Sequence, residues 1–184
     1  MSTTVEELPV VYLKAGEMHY TDRPALVITV LGSCLSVTMH DRRLGIAGIC
    51  HGLLPECEDK RSCPSRCSDG FRYVECSIRQ LIRLFDKAGS RRRDIEVKCF
   101  GGADMFTRRI EKPGLVSVGR QNITTAEKLL NREGLRIVKQ DVGGLGGRKV
   151  LFYTHTGEVL LKRLSSAAAP LAGGKDASGK VNHP

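Results

Sequence analysis

The sequence predicts a single α+β (mixed α/β) domain, with a mainly antiparallel sheet and two amphipathic helices packed on it. Short runs of apolar and β-branched residues, each bounded by turn residues, recur along much of the chain. Two longer stretches instead repeat their apolar residues at helical spacing. These stretches do not alternate strictly with the strands, as they would in a regular parallel α/β fold. A chain of 184 residues is long enough to build one such domain around its own core.

The composition divides the chain into three parts. Residues 1–9 are acidic and unpatterned, residues 10–164 hold the predicted elements, and residues 165–184 are mostly Ser, Ala, Gly, Pro and Lys. We therefore expect a flexible lead-in, one domain and a disordered tail. The first residues lack the basic-then-apolar profile of a secretory signal, and no apolar run approaches the ~20 residues that span a bilayer. A cytoplasmic protein without membrane insertion is the expectation.

The first half of the domain is predicted to consist of strands around a cysteine. An apolar strand leads into the tight turn Gly32-Ser33-Cys34. Two further strands, Leu35–Met39 and Gly45–Ile49, flank a charged turn and can pair as a hairpin. That pairing brings Cys34 and His51 to the same end of the sheet.

The second half supplies the two helices. In the first, apolar residues recur at helical spacing from Val74 to Phe85, with Asp69 as a candidate N-cap and Gly89 as the stop. In the second, over 122–133, Asn122 is the candidate cap and Gly134 the stop. The remaining predicted strands lie at 10–13, 94–100, 135–140, 149–154 and 159–162, the last two as a closing hairpin.

A thiol and an imidazole at one sheet end are the two groups that nucleophilic catalysis by cysteine requires at least. Cys34 can attack an acyl carbon, while His51 takes the thiol proton and returns it to the leaving group. The alternative without catalysis is that Cys34 is a buried free thiol and that His51 caps a turn. His40 is a rival base on the same strand face, but the strand places it roughly 20 Å from Cys34 at ~3.3 Å per residue. His51 is therefore the preferred partner.

Several short motifs follow one another between residues 10 and 163. They are Thr29-Val30-Leu31-Gly32-Ser33-Cys34, His51-Gly52-Leu53-Leu54-Pro55, Phe100-Gly101-Gly102-Ala103-Asp104-Met105-Phe106, Val118-Gly119-Arg120-Gln121-Asn122, Asp141-Val142-Gly143-Gly144 and Gly147-Arg148-Lys149-Val150. In this order they resemble the CheD family, the chemoreceptor glutamine deamidases of bacterial and archaeal chemotaxis. The tetrapeptide around Cys34 is a weak signal alone, but the whole set is specific.

The resemblance implies a protein-glutamine deamidase that acts on selected glutamines in the cytoplasmic domains of chemoreceptors. Cys34 would be the nucleophile and form a thioester, His51 would be the base, and Thr29 would orient His51 through its hydroxyl. No cofactor is required. A CheC-type phosphatase is a further implied partner, and some methylesterase activity is conceivable because a methylated glutamate presents the same acyl carbon. The alternative function is a non-catalytic adaptor that binds receptors or a CheC-type phosphatase.

Seven cysteines are many for a cytosolic protein of this length. Residues 56–70 form a polar, cysteine-rich predicted loop, and four candidate metal ligands lie in or just after it: Cys57, Cys63, Cys67 and Cys76. A structural Zn²⁺ ion held by four thiolates is one interpretation, although the paired spacing of common zinc sites is absent. Reduced surface thiols and redox regulation are the others, and a disulfide framework is not expected in the cytosol.

The net charge of +9 favours an acidic partner. Nucleic acid is not expected, because aromatic residues make up only 5%, Trp is absent and no reading motif is present. The glutamate-rich modification sites that the resemblance implies for the receptor would suit this charge. The glycine-rich stretch 143–149 is not a phosphate-binding loop, because Val150 follows its lysine and a strand comes next.

Overall fold

Two β-sheets pack face to face, and two helices cover the outer face of the larger sheet. The computed structural model describes residues 8–57, 71–104 and 116–164. Their elements are β1 (Val10–Tyr12), β2 (Met18–Thr21), β3 (Leu26–Leu31), β4 (Leu35–Asp41), β5 (Ile46–Gly52), α1 (Val74–Lys87), a short 3-10 turn (Arg92–Asp94), β6 (Ile95–Gly101), α2 (Val118–Arg132), β7 (Ile137–Val142), β8 (Arg148–Tyr153) and β9 (Val159–Arg163). No helix in these ranges is both long and apolar enough to cross a bilayer.

Most neighbouring strands run antiparallel, as the sequence predicts. The smaller sheet has the order β1-β3-β8-β9, and the larger one the order β2-β5-β4-β6-β7. Only the pairs β1/β3 and β6/β7 are parallel among the strands described here. The α+β prediction is therefore confirmed.

The central strands β4 and β5 are buried on both faces along their whole length. Successive side chains point to opposite faces of a sheet. Leu35, Val37 and Met39 of β4 accordingly join the core beneath the helices. Ala47 and Ile49 of β5 join the core between the two sheets. His51 continues this second series, which places it in the layer between the sheets.

The first helix follows the predicted pattern closely. Its apolar face, from Val74 to Phe85, is at most 5% exposed and packs on β4 and β5. Burial of side chains as large as Phe85 contributes about 1.5–3 kcal/mol each. Gly89 follows the helix with φ of +83°, as its predicted role requires. The N-cap is Tyr73, and the predicted cap Asp69 lies outside the described residues.

The second helix begins four residues earlier than predicted. Ser117 is its N-cap, because its hydroxyl accepts a hydrogen bond from the Arg120 N–H at 3.3 Å. The prediction that Asn122 caps this helix was therefore wrong, and Asn122 lies fully buried within it. Gly134 follows the C-terminus with φ of +70°, as predicted.

Several strand predictions differ from the structure in detail. The hairpin of β4 and β5 and the closing hairpin of β8 and β9 are both confirmed. Strand β2 was not predicted, because its polar sequence shows no alternation. Strand β7 ends two residues later than expected. Most of the predicted lead-in, most of the cysteine-rich loop and the predicted tail lie outside the described residues.

Candidate active site

Cys34 and His51 lie at one end of the hairpin of β4 and β5. Cys34 ends the turn that connects β3 to β4, and His51 is the second-last residue of β5. The antiparallel register pairs Leu35 with Gly52 and Ser36 with His51. The two residues therefore reach the same sheet end, as the sequence predicts.

Thr29 joins His51 from the opposite sheet. Its hydroxyl oxygen Oγ1 lies 2.8 Å from Nδ1 of His51 and 2.8 Å from the carbonyl oxygen of Leu13. A carbonyl only accepts, so the single hydroxyl proton of Thr29 goes to Leu13. Oγ1 must then accept a hydrogen bond from Nδ1–H of His51. This arrangement fixes the tautomer of His51 and leaves Nε2 as an unprotonated acceptor.

The surroundings of His51 keep its imidazole neutral. The residue is only 4% exposed, and burial lowers the pKa of its side chain below 6.5. The Leu13 carbonyl and the Glu17 carboxylate raise this pKa, but by less than burial lowers it. Nε2 is buried and has no hydrogen-bond partner among the described residues. At neutral pH His51 therefore presents a free basic nitrogen between the sheets.

The thiol of Cys34 is protonated in the same resting state. Cys34 is half-buried, and burial raises the pKa of its thiol, while its own backbone N–H lowers it by a smaller amount. Since Nε2 of His51 is unpartnered, the thiol is not hydrogen-bonded to it here. Such contacts commonly tighten only when the substrate binds. Ionisation of this thiol would require a base, and the hairpin places the neutral imidazole of His51 at the same sheet end.

Glycines allow a second backbone to hold the cysteine turn. The N–H groups of Gly102 and Ala103 donate to the carbonyl oxygens of Cys34 and Gly32 at 2.7 and 2.8 Å. Gly101 has φ of +107°, and a Cβ atom there would lie 2.2 Å from the Cys34 carbonyl oxygen. Only glycine fits this position. A second backbone therefore approaches the cysteine turn closely at this strand end.

Asn122 supplies a contact that sequence analysis missed. Its Nδ2 lies 3.0 Å from the carbonyl oxygen of Ser33 and 2.9 Å from that of Leu53. These residues flank Cys34 and His51 in the chain. The residue stands at the start of a helical pattern, so its sequence position indicates a cap and gives no sign of these distant partners.

A cleft of about 410 Å³ opens onto His51 and Thr29. His51 and Thr29 line it, together with Lys14 and Lys149. These two lysines are its formally charged lining residues at neutral pH. Their charge favours a segment that carries negative charge in the cleft, and Cys34 is not among its lining residues.

The rival base and the candidate metal ligands lie elsewhere. His40 pairs with Ala47 near the far end of β4, away from Cys34. Cys57 and Cys76 are half-buried, whereas Cys63 and Cys67 fall outside the described residues. Within the described ranges, no group of three or more His, Cys, Asp or Glu side chains is placed to hold a metal ion. The four-cysteine zinc hypothesis stays a prediction.

Comparison with known proteins gives consistent matches. Residues 53–163 match the family model described as CheD chemotactic sensory transduction, more than half of the chain. A probable chemoreceptor glutamine deamidase CheD 2 of Geobacter sulfurreducens is 46% identical over 169 residues, which cover 92% of this chain and 99% of that protein. A probable chemoreceptor glutamine deamidase CheD of Oleidesulfovibrio alaskensis is 44% identical, over 90% of this chain and 77% of that one.

Solved structures resemble the fold only weakly. A hypothetical protein, YfiH, of Bacillus licheniformis has a TM-score of 0.43 and 14% identity. The match covers 70% of this chain and 49% of the YfiH chain, which is about half the length of YfiH. A likeness at this level carries no functional argument.

Proposed function

The chain belongs to the CheD family, and we propose on this basis that it is a protein-glutamine deamidase acting on chemoreceptors. The enzyme converts selected receptor glutamines to glutamates and releases ammonia. The single observation that carries the catalytic assignment is the hydrogen bond between Thr29 and His51, because it fixes the base in its acceptor form. Thr29, Cys34 and His51 all precede the segment matched by the family model, so their proposed roles rest on the resemblance of the motifs around them and on the geometry described above.

The first half-reaction forms a thioester. Nε2 of His51 takes the proton of the Cys34 thiol as Sγ attacks the carboxamide carbon of the glutamine. The carbonyl oxygen becomes an oxyanion in a tetrahedral intermediate. The imidazolium then protonates the nitrogen, the carbon–nitrogen bond breaks, and ammonia leaves. Thr29 supports this step because a positive charge on the ring strengthens the Nδ1–H hydrogen bond that it accepts.

The second half-reaction restores the enzyme. His51 is again neutral once ammonia has left, and Nε2 takes a proton from a water molecule that attacks the thioester carbon. The intermediate collapses, the carbon–sulfur bond breaks, and the proton returns to Sγ of Cys34. The product is a glutamate side chain, and one water molecule is consumed for each ammonia released. No cofactor takes part in these steps.

The charge around the site supports a receptor segment rich in glutamate as the substrate. Lys14 and Lys149 line the cleft that opens onto His51, and the chain as a whole carries +9. Both features increase the local concentration of an acidic segment. An enzyme that modifies receptor cytoplasmic domains works in the cytoplasm. A CheC-type phosphatase stays a proposed second partner, supported by the family resemblance alone.

The test uses a purified chemoreceptor cytoplasmic fragment with the wild-type protein and with Cys34→Ala and His51→Ala. Ammonia release and binding to the fragment are measured in the same samples. We expect release with the wild type alone and binding with all three proteins. Binding without release by the wild type would favour the adaptor function instead.

A further inference from the structure

Asn122 connects the two segments that hold the catalytic pair. It lies in α2 on the face that packs toward the larger sheet, and it is 0% exposed. Its Nδ2 group donates to the carbonyl oxygens of Ser33 and Leu53, which are 89 and 69 residues away in sequence. Both hydrogens of the amide group are therefore in use. One bond reaches the residue before Cys34, and the other reaches the second residue after His51.

Packing and capping do not explain a polar side chain at this place. An apolar residue would suit the buried face of α2, where Ala126 and Leu130 lie farther along the helix. Ser117 already caps the helix. Oδ1 of Asn122 is buried without a partner in the described part of the chain, which is unfavourable. The two donated hydrogen bonds are what distinguishes Asn122 from an apolar residue here.

The bond to Ser33 acts on the backbone of the nucleophile. The Ser33 carbonyl and the Cys34 N–H belong to one trans peptide unit, so they point in opposite directions. A hydrogen bond that holds the carbonyl therefore also directs the N–H. The same N–H lowers the pKa of the Cys34 thiol, by less than burial raises it. Donation to the carbonyl further polarises the N–H, because linked hydrogen bonds strengthen one another.

We propose that Asn122 is a positioning residue for the nucleophile. It holds the Ser33–Cys34 peptide unit so that the N–H faces the reacting sulfur and the oxyanion that forms on the substrate. Such a donor is most effective when it is oriented before the reaction begins. The proposal rests on the proposed function, because it gives Asn122 a part in the reaction of Cys34.

The test compares Asn122→Ala and the isosteric Asn122→Asp with Asn131→Ala and Asn131→Asp. Asn131 is an exposed residue of the same helix and serves as the matched control. The first readout is the rate of alkylation of Cys34 by iodoacetamide as a function of pH, followed by peptide mapping so that the other cysteines are counted separately. The second is kcat and KM for deamidation of a receptor cytoplasmic fragment. The third is thermal unfolding.

For the Asn122 variants we expect the alkylation midpoint to move to higher pH, because the thiolate loses a fixed donor. We expect kcat to fall by a factor on the order of 10 to 100, with KM nearly unchanged. The Asn131 variants should match the wild type in all three readouts. Alkylation of Cys34 does not depend on the receptor, so it tests the role of Asn122 by itself. A wild-type protein that fails to deamidate the fragment would contradict the proposed function, and the alkylation profiles would still decide whether Asn122 positions Cys34.

An unchanged alkylation profile in a folded Asn122 variant would overturn the proposal. A loss of thermal stability with normal thiol reactivity would do the same, because it would assign Asn122 to the fold alone. If Asn122→Ala does not fold, Asn122→Asp decides with the same readouts. Failure of both to fold, while the Asn131 variants do fold, would also count against the proposal.

Discussion

Thr29 and His51 face each other from two different β-sheets, and a 2.8 Å hydrogen bond joins Oγ1 of one to Nδ1 of the other. The carbonyl of Leu13 takes the hydroxyl proton, so the direction of this bond is fixed. The imidazole of His51 is thus oriented by the packing of one sheet on another. Small changes at this contact should alter catalysis before they alter the fold.

Replacement of Thr29 by Val keeps the shape of the side chain and removes its hydroxyl. The Nδ1–H group of His51 and the Leu13 carbonyl then lose a buried partner, which should cost about 1–3 kcal/mol of unfolding free energy. We expect kcat to fall by a factor on the order of 10 to 100, because the ring loses its fixed orientation. Thr29→Ser retains the hydroxyl and should keep most of the activity. Urea unfolding and kcat are measured for both variants. Equal activity of Thr29→Val and Thr29→Ser would contradict a role of the hydroxyl in orienting His51.

The pH dependence of activity follows from the buried imidazole. Burial lowers the pKa of His51 below its ordinary value of 6.5. Protonated His51 cannot accept the thiol proton, so activity falls only as pH drops through this lowered pKa. We expect the acidic limb of kcat/KM to have its midpoint below pH 6.5. A midpoint above that value would show that another group controls the reaction, or that the site is more open to water.

Gly101→Ala should disturb the turn that carries the nucleophile. The new Cβ atom would lie 2.2 Å from the carbonyl oxygen of Cys34, at a residue with φ of +107°. We expect a loss of at least about 1 kcal/mol of stability, together with lower activity. Gly89→Ala is the matched control, because φ there is +83° but a Cβ would meet nothing within 4 Å. Equal stability losses in the two variants, with activity retained, would argue against the close contact.

Charge reversal at the cleft should weaken substrate binding. Lys149→Glu places a negative charge at the cleft that opens onto His51. We expect KM for an acidic receptor fragment to rise roughly threefold to tenfold at low salt, with a smaller effect at high salt and little change in kcat. Lys139→Glu on β7 makes the same charge change on an exposed strand of the other sheet and should leave KM unchanged. The same increase in both variants would indicate a general charge effect.

The sequence predicted the parts of the site that depend on local pattern. Alternating apolar residues and a charged turn predict the hairpin of β4 and β5, and the hairpin alone brings Cys34 and His51 to one sheet end. The glycine after each helix is likewise a local signal. These features depend on neighbours a few residues apart, and the structure confirms them.

The parts that depend on sheet packing could not be derived from the residues. Leu13 accepts the proton of Thr29 only because β1 runs beside β3. Asn122 reaches Ser33 only because α2 packs over the larger sheet. Its sequence pattern indicated a helix cap, and Ser117 takes that position because the helix begins a turn earlier. Contacts between distant segments leave no periodic signal in one sequence.

The role of Cys34 can be tested by peptide mapping of a receptor cytoplasmic fragment after incubation in heavy-oxygen water with the wild type or with Cys34→Ala. Thioester hydrolysis places one heavy oxygen atom in each new glutamate. We predict labelled glutamates at former glutamine positions with the wild type, and none with Cys34→Ala, although both proteins bind the fragment. Labelled glutamates with Cys34→Ala, or none with a wild type that binds, would contradict the assignment of Cys34 as the nucleophile of a receptor deamidase.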